Sequence, residues 1–380
     1  MKLFSCPSCS HVLFFENVVC ERCNHALGYE PASNAMLALE PLGGGWTAVG
    51  AKSDDRPWRY CANYDHGVCN WMVSADQDET FCLACRHNLV VPNLADASNV
   101  ALWQKMEIAK RRLFYSLLRL KLPLESRAEH PEGLGFEFLS NDDATGQNVM
   151  TGHDDGLITI ALAEADDAER ENRRTSMGEP YRTLLGHFRH EIGHWYWDRL
   201  VRDGGALEAC RSVFGDDSQD YNQALQAHYA NGPKPGWQNE YVSHYAAAHP
   251  WEDFAETWAH YLHITDTLDT GRSWGFRVDP RVDREDLLTA KIDFDVFSPN
   301  TTITEIVESW LALSGALNAL NRSMGAADPY PFVLSESVVS KLSFIHELVH
   351  GRVAHGATGS DLPDTPDIEP APTPDDRQVA

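Results

Sequence analysis

The sequence is short of basic residues and has no long apolar run. Its 31 Lys and Arg residues stand against 56 Asp and Glu residues, which gives a formal net charge of −25. This balance disfavours nucleic acids and anionic membranes as partners, because both carry negative charge themselves. No apolar stretch reaches the length that crosses a bilayer, so we expect no membrane span.

We also expect no secretory signal, since Met1–Cys6 enters a cysteine motif at once. We therefore expect a cytoplasmic protein, in which thiols stay reduced. Beyond residue 85 the chain has a single cysteine, Cys210, whereas eight cysteines precede residue 86 and six of these form CxxC pairs. In a reducing compartment this pattern indicates metal sites rather than disulfides.

Two groups of four cysteines predict two structural zinc sites within residues 1–92. In the first group, two CxxC knuckles flank a short apolar hairpin, which is the arrangement of a tetrathiolate zinc ribbon. Its ligands are Cys6, Cys9, Cys20 and Cys23. The second group is less regular and consists of Cys61, Cys69, Cys82 and Cys85. His66 is an alternative ligand in place of Cys61 or Cys69.

The zinc-ribbon region carries the wrong charge for phosphate binding. Residues 1–92 contain six Lys and Arg against ten Asp and Glu, before the charge of the thiolates is added. We therefore expect a structural or protein-docking role, with no nucleic acid as partner. Between the two cysteine groups, Gly43–Gly45 and Ser53–Pro57 are typical of turns and a connector.

The rest of the chain is mainly helical by its apolar spacing. A basic amphipathic helix from Ser98 to about Lys121 precedes two short strands, Gly135–Ser140 and Gly156–Leu162. Further helical patterns follow at 180–201, 240–248, 251–263, 301–324 and 335–351. We predict an α+β protein with a zinc-ribbon region at 1–92, a mainly helical domain with a small sheet at 93–355, and a disordered, acidic and proline-rich tail at 356–380.

One stretch, Arg189–Trp197, contains the spacing of a zinc hydrolase site. His190 and His194 are four residues apart, so a helix places both on one face, where they can hold the same metal ion. Glu191 follows the first histidine and is placed to take a proton from a metal-bound water. This pattern predicts the catalytic centre of the protein.

Two histidines leave a catalytic zinc short of one protein ligand. The best candidate is Glu252, which lies 62 residues beyond His190 on the helix after Pro250. Glu256 lies one turn later on the same face, where its carboxylate can accept the ring N–H of a ligand histidine. The reverse assignment, with Glu256 as ligand and Glu252 as its support, is the alternative.

The segments HEIGH and HPWEDFAETWAHYLHI, together with the N-terminal cysteines, carry a family resemblance. HEIGH followed by EDFAE resembles the gluzincin class of zinc metallopeptidases, whose third ligand is a glutamate on a later helix. The pattern over residues 1–355 resembles a bacterial family of zinc-binding metallopeptidases with a zinc-ribbon domain. This resemblance implies a zincin-like metallopeptidase domain with zinc at His190, His194 and Glu252 and with Glu191 as general base.

A tyrosine upstream of the third ligand is the candidate for oxyanion stabilisation. Tyr245 precedes Glu252 by seven residues, and some gluzincin-like proteases have a tyrosine at such a place that donates a hydrogen bond to the developing oxyanion. A buried core tyrosine is the alternative, and His244 and His249 are other candidates for the role. His187 is more typical of a packed or outer histidine than of a ligand.

We therefore predict a peptidase with one catalytic and two structural zinc ions, acting on a peptide or protein substrate. Zinc polarises the scissile carbonyl, Glu191 moves the water's proton to the leaving amine, and the strand Leu157–Leu162 pairs with an extended peptide at the cleft edge. The rival function is a non-catalytic, zinc-stabilised adaptor that binds peptides or proteins. Glu191 favours the enzyme, since an adaptor does not need the base.

A second HExxH, from His346 to His350, has the same spacing as the first. Only thirty residues follow it, and most belong to the tail, so no later helix can supply a third ligand. His355 lies nine residues after His346, whereas the HExxHxxGxxH arrangement needs ten and a glycine where Val353 stands. We therefore expect a chance match on an amphipathic helix.

Overall fold

The structure is a computed structural model that describes residues 1–50, 56–140, 149, 151–176 and 182–353. The predicted disordered tail at 356–380 lies outside these residues, as do most of the connector Ser53–Pro57 and the helix start at Pro180. Within the described ranges, no helix is both long and apolar enough to cross a bilayer.

The N-terminal region is built from short strands, and eight of them precede the first α-helix in the described residues. These are β1 (Phe4–Ser5), β2 (Val12–Leu13), β3 (Ala26–Glu30), β4 (Ala35–Leu42), β5 (Gly45–Ala48), β6 (Trp58–Tyr60), β7 (Met72–Ser74) and β8 (Asn88–Val90). Strands β1 and β2 form an antiparallel hairpin, and β3 to β7 form a five-stranded antiparallel sheet in sequence order.

Four strands of the five-stranded sheet, β3 to β6, lie between Cys23 and Cys61, where the sequence predicted only turns and a connector, and β7 lies between Cys69 and Cys82. The turn at Gly43–Gly45 is correct, since Gly43 and Gly44 have positive φ angles and join β4 to β5. The strands were missed because β4 alternates poorly and because Pro41, which donates no backbone hydrogen bond, interrupts it. The described residues between Cys23 and Cys61 therefore form mainly a folded sheet.

Both cysteine groups have the dimensions of tetrathiolate zinc sites. Ligand sulfurs of a tetrahedral zinc ion lie about 3.8 Å apart, given Zn–S bonds of about 2.3 Å. The Sγ–Sγ distances are 3.6 Å for Cys6–Cys23, 3.6 Å for Cys9–Cys20 and 3.7 Å for Cys69–Cys82. All four sulfurs of each group lie within 4.8 Å of one another.

His66, the alternative ligand of the second cysteine group, lies outside that group. Its side chain is exposed, and its ring contacts the ring of Trp103 at a centroid distance of 6.0 Å. The four sulfurs of the second group come instead from Cys61, Cys69, Cys82 and Cys85.

The remaining elements form a mainly helical region around a small mixed sheet, so the α+β class is confirmed. They are α1 (Ala97–Arg119), β9 (Gly135–Leu139), β10 (Gly152–Asp154), β11 (Leu157–Ala161), α2 (Asp167–Ser176), α3 (Leu184–Tyr196), α4 (Leu207–Phe214), α5 (Tyr221–Asn231), α6 (Pro250–Ser273), β12 (Arg277–Val278), β13 (Ala290–Lys291), α7 (Ile303–Ser323) and α8 (Glu336–Val349). Helix α3 runs on into a π-helical turn at Trp197–Arg202.

The helix predicted at 240–248 is absent. Two short 3₁₀ turns, Trp237–Asn239 and Ala246–Ala248, occupy this part of the chain. The hydroxyl of Ser243 accepts a hydrogen bond from the backbone N–H of Ala246 at 3.1 Å. A serine side chain that takes a backbone donor in this way competes with helix formation.

The position predicted for strand Leu157–Leu162 at the cleft edge is wrong. The mixed sheet has the order β10-β11-β9-β8, so β11 is an inner strand, parallel to β9 and antiparallel to β10. The edge strands of this sheet are β8 and β10, and the sequence predicted no strand at β10. Only three residues long, β10 is too short for an alternating pattern to reveal it.

The N-terminal region shares an aromatic core with the helical region. The ring of Phe15 lies 4.7 Å from that of Tyr29 and 5.6 Å from that of Tyr115 on α1. Tyr29 also packs on Trp71 at 4.8 Å, and both rings are fully buried. Aromatic pairs of this kind add to the hydrophobic burial that holds the two regions together.

A buried ion pair on α1 supports the second cysteine group. Lys110 and Glu107 are both fully buried, with 2.9 Å between Lys110 Nζ and Glu107 Oε1. Glu107 Oε2 lies 3.8 Å from the sulfur of Cys85. Burial works to lower the pKa of Lys110, but the charges of Glu107 and Cys85 outweigh it and raise that pKa. Lys110 thus offsets negative charge that the fold concentrates here.

Helices α3 and α6 approach each other closely at Gly193. A Cβ atom at this position would lie 3.0 Å from the Cα of Ala255 and 3.2 Å from the Cβ of Trp258. Both atoms are fixed to the backbone of α6, so they can move only if the whole helix moves. Only glycine permits this approach.

We expect Gly193→Val to destabilise the protein by about 1–3 kcal/mol, because the added side chain would push α3 away from α6. Urea denaturation followed by circular dichroism measures this change. The control is Gly315→Val on α7, where no atom lies within 4 Å of the added Cβ; its stability should stay within about 0.5 kcal/mol of the parent protein. Equal losses in both variants would contradict the proposed close approach.

We expect Lys110→Met to lower the free energy of unfolding by about 3–5 kcal/mol, because it leaves Glu107 buried without its partner. Lys105→Met on the same helix is the matched control. Lys105 pairs with Asp167 at the surface, with 47% and 70% of the two side chains exposed, so its loss should cost at most about 1 kcal/mol. The midpoint of urea denaturation decides, and a Lys110 variant as stable as its control would refute this role.

Candidate metal centre

Helices α3 and α6 bring His190, His194 and Glu252 together. The Nε2 atoms of the two histidines are 3.2 Å apart, and Glu252 Oε2 lies 3.1 Å from His190 Nε2 and 3.6 Å from His194 Nε2. Ligand atoms around a tetrahedral zinc ion with bonds of about 2.0–2.1 Å are separated by about 3.3 Å. The three side chains therefore fit one zinc ion.

The capping of α3 and α6 sets the position of these side chains. The hydroxyl of Thr183 accepts a hydrogen bond from the N–H of Gly186 and so begins α3. His249 caps α6 through Nδ1, which accepts from the N–H of Trp251 at 3.1 Å, and Pro250 occupies the first helical position. Glu252 consequently lies in the first turn of α6, where the positive end of the helix dipole favours a carboxylate.

Glu256 lies on the other side of His190. Its Oε1 accepts a hydrogen bond from His190 Nδ1 at 2.8 Å, and its Oε2 accepts one from the Ser243 hydroxyl at 2.5 Å. Burial works to raise the pKa of Glu256, but the bond from His190 outweighs it and lowers that pKa to about 2. Because Glu256 engages Nδ1, the ring nitrogen of His190 that faces Glu252 and His194 is Nε2.

The arrangement creates a strongly negative site. Burial works to lower the pKa of His190, but Glu252 and Glu256 outweigh it and raise that pKa well above its ordinary value. A field that stabilises a proton on this imidazole stabilises a divalent cation between the same atoms as well. Glu252 itself is only 1% exposed, and a carboxylate buried to this degree needs a cationic partner.

The other predicted catalytic residues lie beside this cluster. Burial raises the pKa of Glu191, as do the nearby carboxylates, although the two histidines oppose them. The Tyr245 ring lies 5.9 Å from that of His190, and burial followed by the charge of Glu252 raises the pKa of its hydroxyl. Tyr245 is therefore protonated and able to donate a hydrogen bond at neutral pH.

The three alternative histidines have other contacts. Both ring nitrogens of His249 are engaged, Nδ1 in the cap of α6 and Nε2 as donor to the Gln219 carbonyl at 3.2 Å. The ring of His244 stacks on that of His228 at 5.9 Å. His187 Nδ1 lies 3.4 Å from Glu164 Oε2. None of the three belongs to the His190 cluster in the part of the chain that the structure describes.

Four residues around the cluster were missed from the sequence. The hydroxyl of Tyr221 donates a hydrogen bond to Glu252 Oε1 at 2.5 Å, and Ser243 binds Glu256 as described. The Trp251 ring packs on that of His194 at 3.8 Å, and the ring of His153 on β10 stacks on His194 at 6.0 Å. Trp251 is next to Glu252 in sequence and could have been suspected. Tyr221, Ser243 and His153 reach the site only through folding.

The second HExxH is part of the core. His346 is 1% exposed, its Nδ1 accepts a hydrogen bond from the Tyr261 hydroxyl at 3.0 Å, and its Nε2 donates to the Thr301 carbonyl at 2.9 Å. Both ring nitrogens are therefore used by neighbouring elements. Glu347 forms an ion pair with Arg352 at 2.8 Å. This supports the expectation that the second motif is a chance match.

The chain matches two protein families. The first, described as "Putative zinc-binding metallo-peptidase", matches residues 99–348, and a zinc-ribbon domain matches residues 3–96. Three mycobacterial proteins, all named as uncharacterized, are similar to almost the whole chain: one from Mycobacterium bovis and two from strains of Mycobacterium tuberculosis. Each is 42% identical over 373 residues, which make up 98% of this chain and 98% of the relative.

No solved structure shows a significant match to this chain. The family assignment therefore depends on the sequence matches, which agree with the His190 cluster and the two cysteine groups. By these matches, the chain belongs to the family of zinc-binding metallopeptidases that carry an N-terminal zinc-ribbon domain.

Proposed function

We propose that this protein is a zinc-dependent peptidase of the gluzincin type, with His190, His194 and Glu252 as ligands of a catalytic zinc ion. The observation that carries the proposal is the convergence of two Nε2 atoms and one carboxylate oxygen within 3.6 Å of one another. When bound there, zinc would supply Lewis acidity and a water molecule whose pKa is near ~7. Two further zinc ions at the cysteine groups would be structural.

Glu191 is the proposed general base. It takes one proton from the attacking water and transfers it to the nitrogen of the leaving amine as the peptide C–N bond breaks. Peptide and water thus become a carboxylic acid and an amine, and Glu191 returns to its starting state. Burial raises the pKa of Glu191, which brings the carboxylate closer in basicity to the groups with which it exchanges protons.

Tyr245 is the proposed oxyanion donor. Its ring lies beside that of His190, and its hydroxyl keeps its proton. A donor held in place before the reaction stabilises the charge that develops on the carbonyl oxygen without reorganising in the transition state. Glu256 orients His190 by accepting a hydrogen bond from Nδ1, and Ser243 in turn holds Glu256.

Strand β10 is the proposed docking edge for the substrate. Among the described residues β10 pairs with β11 alone, so its other edge can receive an extended peptide. His153 lies at the centre of β10 and contacts the ring of His194, which places this edge beside the metal cluster. Burial lowers the pKa of His153 to about 3, so the ring is neutral at physiological pH.

The rival function is the zinc-stabilised adaptor without catalysis. A half-buried Glu191 next to the two histidines favours the enzyme, because removing a carboxylate from water carries a cost that an adaptor has no reason to bear. A cytoplasmic location, a protein partner for the zinc ribbons and the absence of nucleic-acid binding stay predictions. The last is supported by the net charge of −25.

We expect Glu191→Gln to lower turnover of a peptide library by roughly 10²–10⁴-fold, because the general base is lost. Zinc content should stay at about three ions per chain, since Glu191 is not a ligand in this scheme. The matched control is Glu347→Gln in the second HExxH, which should keep full activity. Mass spectrometry of products and metal analysis are the measurements.

Hydrolysis by the Glu191 variant at the parental rate would eliminate Glu191 as base. The adaptor would be favoured if the parent protein has its full zinc content but cleaves no peptide of the library at any pH at which it is folded. A content of two zinc ions per chain would point the same way.

For Tyr245→Phe we expect kcat to fall by about 10²-fold while KM and zinc content change little, because the hydroxyl acts on the transition state. Steady-state kinetics on a peptide that the parent protein cleaves provide both constants. A rise in KM with unchanged kcat would instead show that Tyr245 acts in substrate binding. If neither kcat nor KM changes, Tyr245 is a core tyrosine without a role in the reaction.

A further inference from the structure

Helix α5 contacts the first turn of α6 through Tyr221, although none of the residues of α5 is buried. Its N-terminus is capped by Asp220, whose side chain accepts from the N–H of Gln223 at 2.9 Å. Its C-terminus ends at Gly232, which has a positive φ of 73°. A helix without a buried face gains little stability from hydrophobic packing, so its individual contacts determine where it lies.

Tyr221, the first residue of α5, makes the most specific of these contacts. Its ring meets those of His249 and Trp251 edge-on, at centroid distances of 5.3 Å and 5.5 Å. Its hydroxyl donates a hydrogen bond to Glu252 Oε1 at 2.5 Å. The aromatic contacts orient the phenol, so the hydroxyl is held against one chosen oxygen of the carboxylate.

The two oxygens of Glu252 have different partners. Oε1 accepts from Tyr221, whereas Oε2 faces His190 Nε2 and His194 Nε2. A carboxylate can bind a metal ion through one oxygen or through both, and the number of protein ligand atoms decides how much room is left for water. A hydrogen bond to Oε1 weakens that oxygen as a ligand and turns Oε2 toward the ion.

We propose that Tyr221 is a positioning residue that holds Glu252 in one-oxygen coordination and so keeps one coordination position free for water. This inference rests on the proposed metal centre. It also gives α5 a role at the site, because Tyr221 joins this helix to Glu252. Geometry at the metal and the position of α5 are thereby coupled.

Tyr221 and Tyr245 have different tasks in this scheme. Tyr221 donates to Glu252, the proposed metal ligand, whereas the ring of Tyr245 lies against that of His190 and its hydroxyl is the proposed oxyanion donor. Loss of the Tyr221 hydroxyl should therefore be visible in metal binding before any substrate is added. Loss of the Tyr245 hydroxyl should not.

The test is Tyr221→Phe, which keeps the ring contacts with His249 and Trp251 and removes only the hydroxyl. We expect the zinc ion at His190, His194 and Glu252, called the third ion here, to bind about 10–100-fold more weakly, as measured by competition with dipicolinate. The control is Tyr229→Phe on the same helix, whose ring is 63% exposed and whose change should leave metal affinity unaltered. Retention of the two cysteine-bound ions and an unchanged circular dichroism spectrum show that the variant is folded.

A spectroscopic signature separates positioning from a general loss of stability. After dipicolinate removes the third ion alone, cobalt(II) is added, and its visible d–d bands report the coordination number. The Tyr221 variant should show weaker and shifted bands, since Glu252 can then bind through both oxygens. The Tyr229 variant should reproduce the parent spectrum.

Unchanged metal affinity and an unchanged cobalt spectrum in the Tyr221 variant would overturn the proposal. If kcat alone then falls, Tyr221 acts on the substrate rather than on Glu252. A parent protein that binds the third ion and shows the Tyr221 effect but cleaves no peptide would uphold the positioning and refute the peptidase. A parent protein that binds only two ions would refute both.

Discussion

The close approach of α3 and α6 is the constraint on which the candidate site depends. Gly193 lies between the two ligand histidines, and its missing side chain lets the backbone of α6 come within contact at Ala255 and Trp258. A side chain at position 193 would hold the two helices further apart, and Glu252 would then lie further from the Nε2 atoms of His190 and His194. The glycine of HEIGH is thus as important to the candidate site as the histidines, although it has no side chain that could bind a metal ion.

A second constraint is electrostatic. The fold gathers the carboxylates of Glu191, Glu252 and Glu256 around two imidazoles, and Glu252 is the most deeply buried of the three. Most of the carboxylate oxygens that face the ligands have a defined donor: His190 and Ser243 hold Glu256, and Tyr221 holds Oε1 of Glu252. What remains is Oε2 facing two nitrogen lone pairs, a set of atoms that a divalent cation completes.

The zinc-ribbon region is a supporting structure for the helical region. Its aromatic residues pack on Tyr115 of α1, and the second cysteine group adjoins the buried Glu107–Lys110 pair of the same helix. Helix α1 in turn packs against α3, which carries the histidines. Both cysteine groups are therefore connected, through α1, to the helix that carries the candidate site. This agrees with the acidic charge of the region, which suits a structural role better than phosphate binding.

The sequence by itself determined the residues whose chemistry is local in the chain. CxxC pairs, the spacing of His190 and His194, and the placement of Glu252 after Pro250 follow from helix and knuckle geometry over a few residues, so they could be predicted together with the family and the α+β class. The five-stranded sheet, the edge position of β10 and the contacts of Tyr221, Ser243 and His153 could not. These depend on pairing between distant segments, and a short strand or a lone tyrosine carries no periodic signal that would reveal its partner. For the same reason, the spacing alone does not distinguish the two HExxH motifs, because it is identical in both. Tertiary packing surrounds His190 with carboxylates but joins His346 to Tyr261 and Thr301, and only the first environment favours a cation.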